Sequence, residues 1–218
     1  MNTYMKLLCG SYLLIVATST LSLDVRITNE LESVEVLHKG EKVLIQRNQN
    51  IDNKINPAYA RTSRRCPPFC IQPAKLAEGV ETIAEIELLN LLKRKSDGDD
   101  SILVIDSRTP DWLLNGTIPG SVNIPWTVLN PSEGADPFEI AEILEKTFGV
   151  RSQEGLWDFS KARTLALFCN GPWCGQSPSN IRTLLRFGYP PHKLLWYRGG
   201  MQSWETLGLT VVKQPDYY

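Results

Sequence analysis

The pattern of apolar and polar residues divides the chain near residue 76. In the first part, valine and isoleucine alternate with polar residues on both sides of a glycine turn in "SVEVLHKGEKVLIQR" (33–47). This alternation predicts a β-hairpin. Residues 48–65 are polar and have no clear period, so they predict a loop or linker. The first part is therefore a small extension, which we expect to pack on the larger part that follows.

From Leu76 onwards, short apolar runs alternate with amphipathic stretches. Runs with the length and composition of strands lie at residues 101–106, 120–125, 164–169 and 193–200. Helical patterns lie at residues 80–95, 138–149, 177–188 and 201–208. Strands that alternate with helices predict an α/β fold with a mainly parallel sheet covered on both faces.

Two of the predicted helices carry more detailed signals. The helix at residues 80–95 has apolar residues at helical spacing, which predict its buried face: Ile83, Ile86, Leu89 and Leu92. The helix at residues 177–188 begins with Ser177, a candidate N-cap, and Pro178, which suits a first helical position.

Charge and composition argue against two classes of function. The 218-residue chain has 23 Lys and Arg against 24 Asp and Glu, and its formal net charge is −1. This balance gives no support for a nucleic-acid partner. The two histidines, His38 and His192, lie far apart in sequence, so a histidine-based metal site is poorly supported. We expect no metal and no cofactor.

The N-terminus predicts export. Lys6 precedes the apolar stretch "LLCGSYLLIVATSTLSL", in which the small residues Ala17, Thr18 and Ser19 offer cleavage positions. Residues 1–22 are therefore interpreted as a signal peptide, 23–75 as the extension and 76–212 as the main domain. The expected location is the periplasm, an oxidising compartment. The alternative is an uncleaved membrane anchor, since the stretch approaches the length that spans a bilayer.

Two close cysteine pairs remain once Cys9 leaves with the signal peptide. The first pair, Cys66 and Cys70, lies in "CPPFC", where consecutive prolines exclude a helix. In an exported protein these residues predict a local disulfide. One alternative is a dithiol that exchanges electrons or sulfur with the second pair. Another is a four-thiolate metal site, although the spacing is not typical of zinc.

The second pair suggests a reactive site. Cys169 ends a predicted central strand, where ligands bind in parallel α/β sheets. The loop after it leads directly into a helix, and backbone N–H groups there stabilise negative charge. Such a field lowers the pKa of a thiol, and the thiolate is the reactive form. Cys169 is therefore the candidate nucleophile, and Cys174 is a candidate partner that resolves its adduct or forms a disulfide with it.

Ordered stretches of the second part resemble the rhodanese-like domain family. "VETIAEIELLNLL" resembles its opening helix, and "VIDSRTPDWLLNGTIPGSVNIP" resembles its Asp-x-Arg strand end and the Gly-x-Ile-Pro-Gly element. "LFCNGPWCGQS" stands in the place of its catalytic-cysteine loop, and "LWYRGGMQSWETLGL" resembles its closing segment. The resemblance covers about residues 76–212. It implies a five-stranded parallel sheet flanked by helices, and sulfur transfer through a persulfide on Cys169.

The loop after Cys169 departs from the usual sulfurtransferase loop. It is longer, and it has no Arg or Lys between Cys169 and Gln176, whereas thiosulfate-using relatives place charges there. We therefore expect weak thiosulfate activity, or a different donor such as a polysulfide. A phosphatase would need a loop arginine and ranks low. The candidate substrate-binding residues are Asn170, Gly171, Pro172, Trp173, Gly175, Gln176 and Ser177.

Other prominent residues have structural interpretations. Asp106 and Arg108 are expected to form an ion pair that supports neighbouring loops. Trp112, Trp196 and Trp204 are interpreted as core residues, whereas Trp173 lies in the loop and could form the wall of a pocket.

Two functions follow from these patterns. The first is an exported rhodanese-like sulfurtransferase whose partners are a small sulfane-sulfur donor or a thiol acceptor. The alternative is a non-enzymatic module for redox or protein interaction, with structural disulfides and a redox partner protein. The presence of Cys169 at the nucleophile position favours the first, because the fold alone does not decide activity.

Overall fold

A computed structural model describes residues 24–153 and 155–213. The predicted signal peptide or anchor lies outside the described residues. The first elements are strands β1 (Ser33–His38) and β2 (Glu41–Gln46), which pair in antiparallel register. Lys39 and Gly40 between them have φ of 53° and 88°, as a tight hairpin turn requires. The predicted hairpin is confirmed.

The centre of the molecule is a parallel sheet of five strands. In chain order they are β3 (Glu81–Ile83), β4 (Ile102–Asp106), β5 (Val122–Asn123), β8 (Thr164–Phe168) and β9 (Leu194–Tyr197). Their order across the sheet is β3-β9-β8-β4-β5, and each neighbouring pair is parallel. The predicted α/β fold and five-stranded sheet are confirmed. A small hairpin of β6 (Arg151–Gln153) and β7 (Leu156–Asp158) lies outside this sheet.

The helices cover both faces of the sheet. They are α1 (Pro57–Ala60), α2 (Glu85–Ser96), α3 (Pro137–Glu142), α4 (Gln176–Arg186) and α5 (Gly200–Thr206). A π-helical turn (Ile143–Thr147) continues α3. Short 3₁₀ segments are Pro110–Asn115, Pro131–Glu133 and Pro191–Lys193. Among the described residues, no helix has the length and apolarity needed to cross a membrane.

The start of the first predicted helix was wrong. Ile83 belongs to β3, where Ile83 pairs with Tyr197 of β9, and α2 begins only at Glu85. Ile86 is 39% exposed, so it does not belong to the buried face. The buried residues of α2 are Leu88, Leu89, Leu91 and Leu92. The pairing of β3 with a distant strand overrides the local helical pattern, because it completes the edge of the sheet.

The extension shares one core with the main domain. On one face of the sheet, Val34, Val36 and Ile45 of the hairpin and Tyr59 of α1 pack in a cluster with α2 and with alternate residues of β4 and β8. A second cluster lies on the other face, around α4 and the remaining residues of the same strands. The hairpin and α1 are therefore part of the layer that covers the sheet.

Candidate active site

The two free cysteines lie at the carboxyl end of the central strand. β8 runs between β4 and β9, and Cys169 is the first residue after it. In the register of the neighbouring pair, Asp106 at the end of β4 lies beside Phe168. The loop that follows carries Cys174 and ends where α4 begins. The site therefore occupies the edge at which parallel α/β sheets bind ligands.

The first turn of α5 holds the loop in place. The backbone N–H of Met201 donates to the carbonyl oxygen of Cys169 at 2.9 Å, and that of Gln202 donates to the carbonyl of Asn170 at 2.9 Å. Gly200 has a φ of 56°, and a Cβ there would lie 2.8 Å from the backbone nitrogen of Gly171. Only glycine fits this close approach of two backbones.

Ser177 is a contact of Cys169 and not a helix cap. α4 begins at Gln176 with Gly175 at its N-cap position, so the predicted capping role of Ser177 was wrong. Its hydroxyl instead donates to the Cys169 sulfur at 3.1 Å. The indole N–H of Trp196 donates in turn to the Ser177 oxygen at 3.1 Å. This chain of hydrogen bonds orients the serine hydroxyl toward the sulfur.

The environment of Cys169 favours its thiolate. Burial by itself raises the pKa of Cys169, but hydrogen bonds from the Cys174 thiol, from Ser177 and from loop N–H groups outweigh it and lower the pKa to about 7. Burial and the hydrogen bond to Cys169 raise the pKa of Cys174. As the pH rises, Cys169 therefore loses its proton before Cys174 does.

The loop brings the two sulfur-bearing residues together without joining them. Cys169 and Cys174 are both free and buried, and the Cys169 sulfur lies 3.5 Å from the carbonyl oxygen of Cys174. The N–H of Cys174 donates to the carbonyl of Gly171 and curls the loop. Gln176 approaches the Cys174 sulfur, with its amide oxygen at 3.7 Å. The structure thus brings the two predicted candidate cysteines close together.

Asp106 and Arg108 form the expected ion pair beneath this edge. The Arg108 guanidinium donates to the Asp106 carboxylate at 2.6 Å, and both side chains are almost fully buried. Arg108 also donates to the Tyr59 hydroxyl at 2.7 Å, and the Thr117 hydroxyl donates to Asp106 at 2.7 Å. Gly116 supplies a carbonyl acceptor at 2.8 Å. These bonds join the end of β4, the segment at residues 116–117 and the extension, which fits the expected supporting role.

The cysteine-rich segment of the extension lies against the loop. Cys66 and Cys70 form a disulfide, so they are not free to form a four-thiolate metal site. Phe69, inside this ring, contacts the Trp173 ring edge to face at 5.7 Å. The N–H of Gln72 donates to the carbonyl oxygen of Pro172 at 2.8 Å. The extension therefore covers one side of the loop.

Arg64 supplies a positive charge that the loop lacks. Its guanidinium lies 4.1 Å from the centre of the Trp173 ring and also faces the rings of Phe69 and Trp112. The Trp173 indole donates to Gln202, whose amide donates to the backbone of Tyr59. No local pattern pointed to this arginine, because it lies in a polar linker about a hundred residues before the cysteines.

An opening of about 300 Å³ lies between the disulfide ring and the loop. Trp173 forms part of its wall, as predicted, whereas Trp112 also lines it and is not a pure core residue. Trp196 and Trp204 are buried in the core as expected. A larger polar cavity of about 520 Å³ lies near Arg47 and Glu205. Its described lining contains no cysteine, so it is separate from the candidate site.

A family model for the rhodanese-like domain matches residues 88–207, more than half of the chain. The chain belongs to the rhodanese-like domain family. The family supports a sulfurtransferase-type function for this rhodanese-like domain, with sulfur donors and thiol acceptors as the general class of partner. No curated protein sequence matches it.

Solved structures with a similar fold have low sequence identity to this rhodanese-like domain. A protein from Bacillus halodurans is 18% identical over 58% of this chain and 72% of its own, with a TM-score of 0.39. A possible tyrosine phosphatase from Rhodopseudomonas palustris is 20% identical over 63% and 90%, with a TM-score of 0.39. A human single-domain sulfurtransferase is 19% identical over 57% and 95%, with a TM-score of 0.36.

Proposed function

We propose that this protein is a sulfurtransferase that carries sulfane sulfur as a persulfide on Cys169 and passes it on through Cys174. The observation that carries the proposal is the pair itself: Cys169, whose pKa is lowered, lies beside Cys174, whose pKa is raised, at the carboxyl end of the central strand. A permanent disulfide between them would block the nucleophile, and both are free.

The reaction is written in two redox-neutral steps. The Cys169 thiolate attacks the sulfane sulfur of the donor; an S–S bond forms and the rest of the donor leaves with the bonding electron pair. Cys174 then loses its proton to water, and its thiolate attacks the outer sulfur of that persulfide. The bond between this sulfur and Cys169 breaks, so Cys169 leaves again as a thiolate, which its low pKa favours.

The donor is expected to be a sulfane compound other than thiosulfate, such as a polysulfide. No basic residue lies among residues 170–176, and Arg64 is the cation that the extension brings to Trp173. Thiosulfate is a compact dianion, and a single guanidinium outside the loop stabilises it less than charges within the loop. A thiosulfate KM in the range of charged-loop enzymes, measured by cyanide-dependent thiocyanate formation, would contradict this choice.

The test is persulfide loading of two single variants. After incubation with a polysulfide, Cys169→Ser should carry no labile sulfur on this loop, whereas Cys174→Ser should load and hold its persulfide longer than the wild type. Mass spectrometry with alkylation of the persulfide locates the sulfur. Normal loading of Cys169→Ser would overturn the nucleophile, and wild-type discharge of Cys174→Ser would overturn the relay. Absence of loading in the wild type would favour the non-enzymatic module.

We also propose export to the periplasm, with cleavage between about Ser19 and Asp24. The apolar stretch after Lys6 supports this, and the Cys66–Cys70 disulfide fits an oxidising compartment. N-terminal sequencing of protein from the native host tests it, and an intact Met1 in a membrane fraction would indicate the anchor instead.

A further inference from the structure

The opening beside the dithiol has an aromatic wall. Four aromatic side chains line it, two from the main domain's earlier loops, one from the cysteine loop and one from the disulfide ring: Trp112, Trp126, Trp173 and Phe69. Three of the rings are held in place by one another, since Trp173 contacts both Phe69 at 5.7 Å and Trp112 at 6.5 Å. Arg64 packs over the same rings. The wall is therefore preorganised for a planar apolar group.

Only one of the two catalytic thiols faces this opening. Cys174 lines it, whereas Cys169 is not among the described lining residues; both side chains are otherwise buried, with exposures of 4% and 2%. A molecule bound in the opening thus contacts Cys174, the second cysteine of the relay. This position suits the acceptor that takes sulfur away from Cys174 more than the donor that loads Cys169.

Polar groups in the wall indicate which substituent the occupant carries. The indole N–H of Trp126 and the amide oxygen of Asn170 are buried and lack a hydrogen-bond partner among the described residues. Both residues line the opening. Its described lining has no acidic side chain, and the Arg64 guanidinium lies over the Trp173 ring. The Trp126 N–H therefore favours a hydrogen-bond acceptor on the occupant, and the Asn170 oxygen favours a donor. Because Arg64 is near and no carboxylate lines the opening, the accepting group can carry a single negative charge.

We propose that this opening is the acceptor site, and that its occupant is a small thiol carried on an aromatic or other planar apolar group with an accepting or anionic substituent. The proposal rests on the sulfur relay proposed above and adds the class of acceptor. The volume of about 300 Å³ lies at the lower end of the range for small-molecule sites, which suits one ring with its substituents.

The transfer balances without an added oxidant or reductant. The acceptor thiolate attacks the outer sulfur of the persulfide on Cys174, and a new S–S bond forms between the acceptor and that sulfur. The bond to Cys174 breaks, and Cys174 leaves with the electron pair and takes up a proton. The products are an acceptor persulfide and the free Cys174 thiol, so the protein returns to its starting state.

The test compares two acceptors of equal charge on persulfide-loaded protein. Para-carboxybenzyl mercaptan carries the ring, and mercaptopropionate does not. Wild-type protein should discharge to the benzyl thiol with a saturable rate and a KM at least about tenfold lower than for mercaptopropionate, since one buried ring contributes at least one power of ten to binding. Equal KM values would overturn the proposal.

Two variants at phenylalanines separate the pocket from general effects. Phe69→Ala should raise the KM for the benzyl thiol about tenfold and so remove most of the preference for the benzyl thiol over mercaptopropionate. The matched control is Phe138→Ala, whose side chain is 85% exposed on α3 and which should change neither. Equal loss for both acceptors in Phe69→Ala would contradict an acceptor site.

A binding measurement keeps this inference separate from the sulfur relay. The S-methyl derivative of para-carboxybenzyl mercaptan cannot accept sulfur, but it should bind unloaded protein and change the tryptophan fluorescence. Trp126→Phe keeps a ring and removes the indole donor, so it should weaken binding of the carboxylate derivative more than of the uncharged S-methyl benzyl compound. Failure to load sulfur with intact binding would overturn only the relay; loading without binding would overturn only this site.

Discussion

The protonation of Cys169 depends on the groups around its sulfur. The Ser177 hydroxyl donates to that sulfur, and the Trp196 indole donates to the Ser177 oxygen. The sulfur also lies 3.5 Å from the backbone carbonyl oxygen of Cys174. As a result, two chemically identical thiols differ in pKa, which suits Cys169 as the nucleophile and Cys174 as its partner. Burial acts in the same direction on both, and the hydrogen bonds to the Cys169 thiolate separate their pKa values.

The rate of Cys169 alkylation should rise as the pH passes through about 7. The thiolate is the reactive form, and the hydrogen bonds lower the pKa of Cys169 to about 7 from its ordinary value of 9.0. Iodoacetamide labelling followed by mass spectrometry measures this profile. Ser177→Ala removes one of those bonds and should move the midpoint to higher pH. Ser132→Ala, on an exposed turn, should not. A wild-type midpoint near that of a free thiol would refute the assignment.

Breaking the buried ion pair should destabilise the protein strongly. Arg108→Met leaves the Asp106 carboxylate buried with the Thr117 hydroxyl as a remaining donor, and such a loss costs about 3–5 kcal/mol of unfolding free energy. Urea denaturation measures it. Lys146→Met, at the exposed pair with Glu142, is the control and should have little effect. A small loss in Arg108→Met would mean that water reaches Asp106.

At the scale of elements, the cysteine loop is held between α4, α5 and the disulfide ring. α4 supplies Ser177, and the first turn of α5 binds two loop carbonyls. The ring contacts the loop through Phe69 and Gln72. Because each element fixes a different part of the loop, the sulfur positions depend on close approaches between elements as much as on the loop sequence.

Gly200→Ala should disturb the site more than it disturbs the local backbone. Gly200 and Gly134 both have positive φ, but a Cβ at Gly200 collides with the cysteine loop and one at Gly134 meets no atom within 4 Å. Gly134→Ala should therefore cost only about 1–2 kcal/mol of backbone strain. Gly200→Ala should cost more and slow persulfide loading. Thermal unfolding and loading kinetics compare them; equal behaviour would show that α5 does not position the loop.

Removal of the disulfide should open the wall of the site. In Cys66→Ser/Cys70→Ser, the ring that holds Phe69 against Trp173 is no longer closed. A bulky maleimide should then label Cys174 faster than in the wild type, while iodoacetamide labelling, which needs less space, should change little. The two rates are measured by mass spectrometry under the same conditions. An unchanged maleimide rate would show that contacts other than the disulfide hold the wall.

At the scale of the whole molecule, the extension and the rhodanese-like domain share one core. The hairpin and α1 pack with α2 and the central strands, and Tyr59 bonds to the buried Arg108. Proteins with one continuous core usually unfold as a unit. The extension is therefore part of both the folding unit and the site.

Hydrogen exchange should show that the extension and the rhodanese-like domain unfold together. The amides of Val36 and Ile45 in the hairpin should exchange with the same opening free energy as those of Ala166 and Leu167 in β8, within about 1 kcal/mol, because both need global unfolding. Mass spectrometry or NMR at several denaturant concentrations measures these values. A hairpin that opens at a much lower free energy would indicate two separate folding units.

Features that arise from local sterics and periodicity could be predicted from the sequence. The hairpin follows from the spacing of Val34 and Val36, and of Val43 and Ile45, around Gly40, and the parallel sheet follows from short apolar runs between helical patterns. Cys169 was identified as the candidate nucleophile because a strand end followed by a helix has a fixed position in such a sheet. Each of these signals lies within a short segment of chain.

The remaining features of the site depend on contacts that form when the chain folds. Ile83 pairs with β9 although it lies in a helical pattern, Ser177 contacts Cys169 and does not cap the helix, and Arg64 and Phe69 pack on Trp173. Apart from the contact of Ser177 with Cys169, these contacts join segments about a hundred residues apart. Their energies come from packing and hydrogen bonds between elements, which no local pattern of residues encodes.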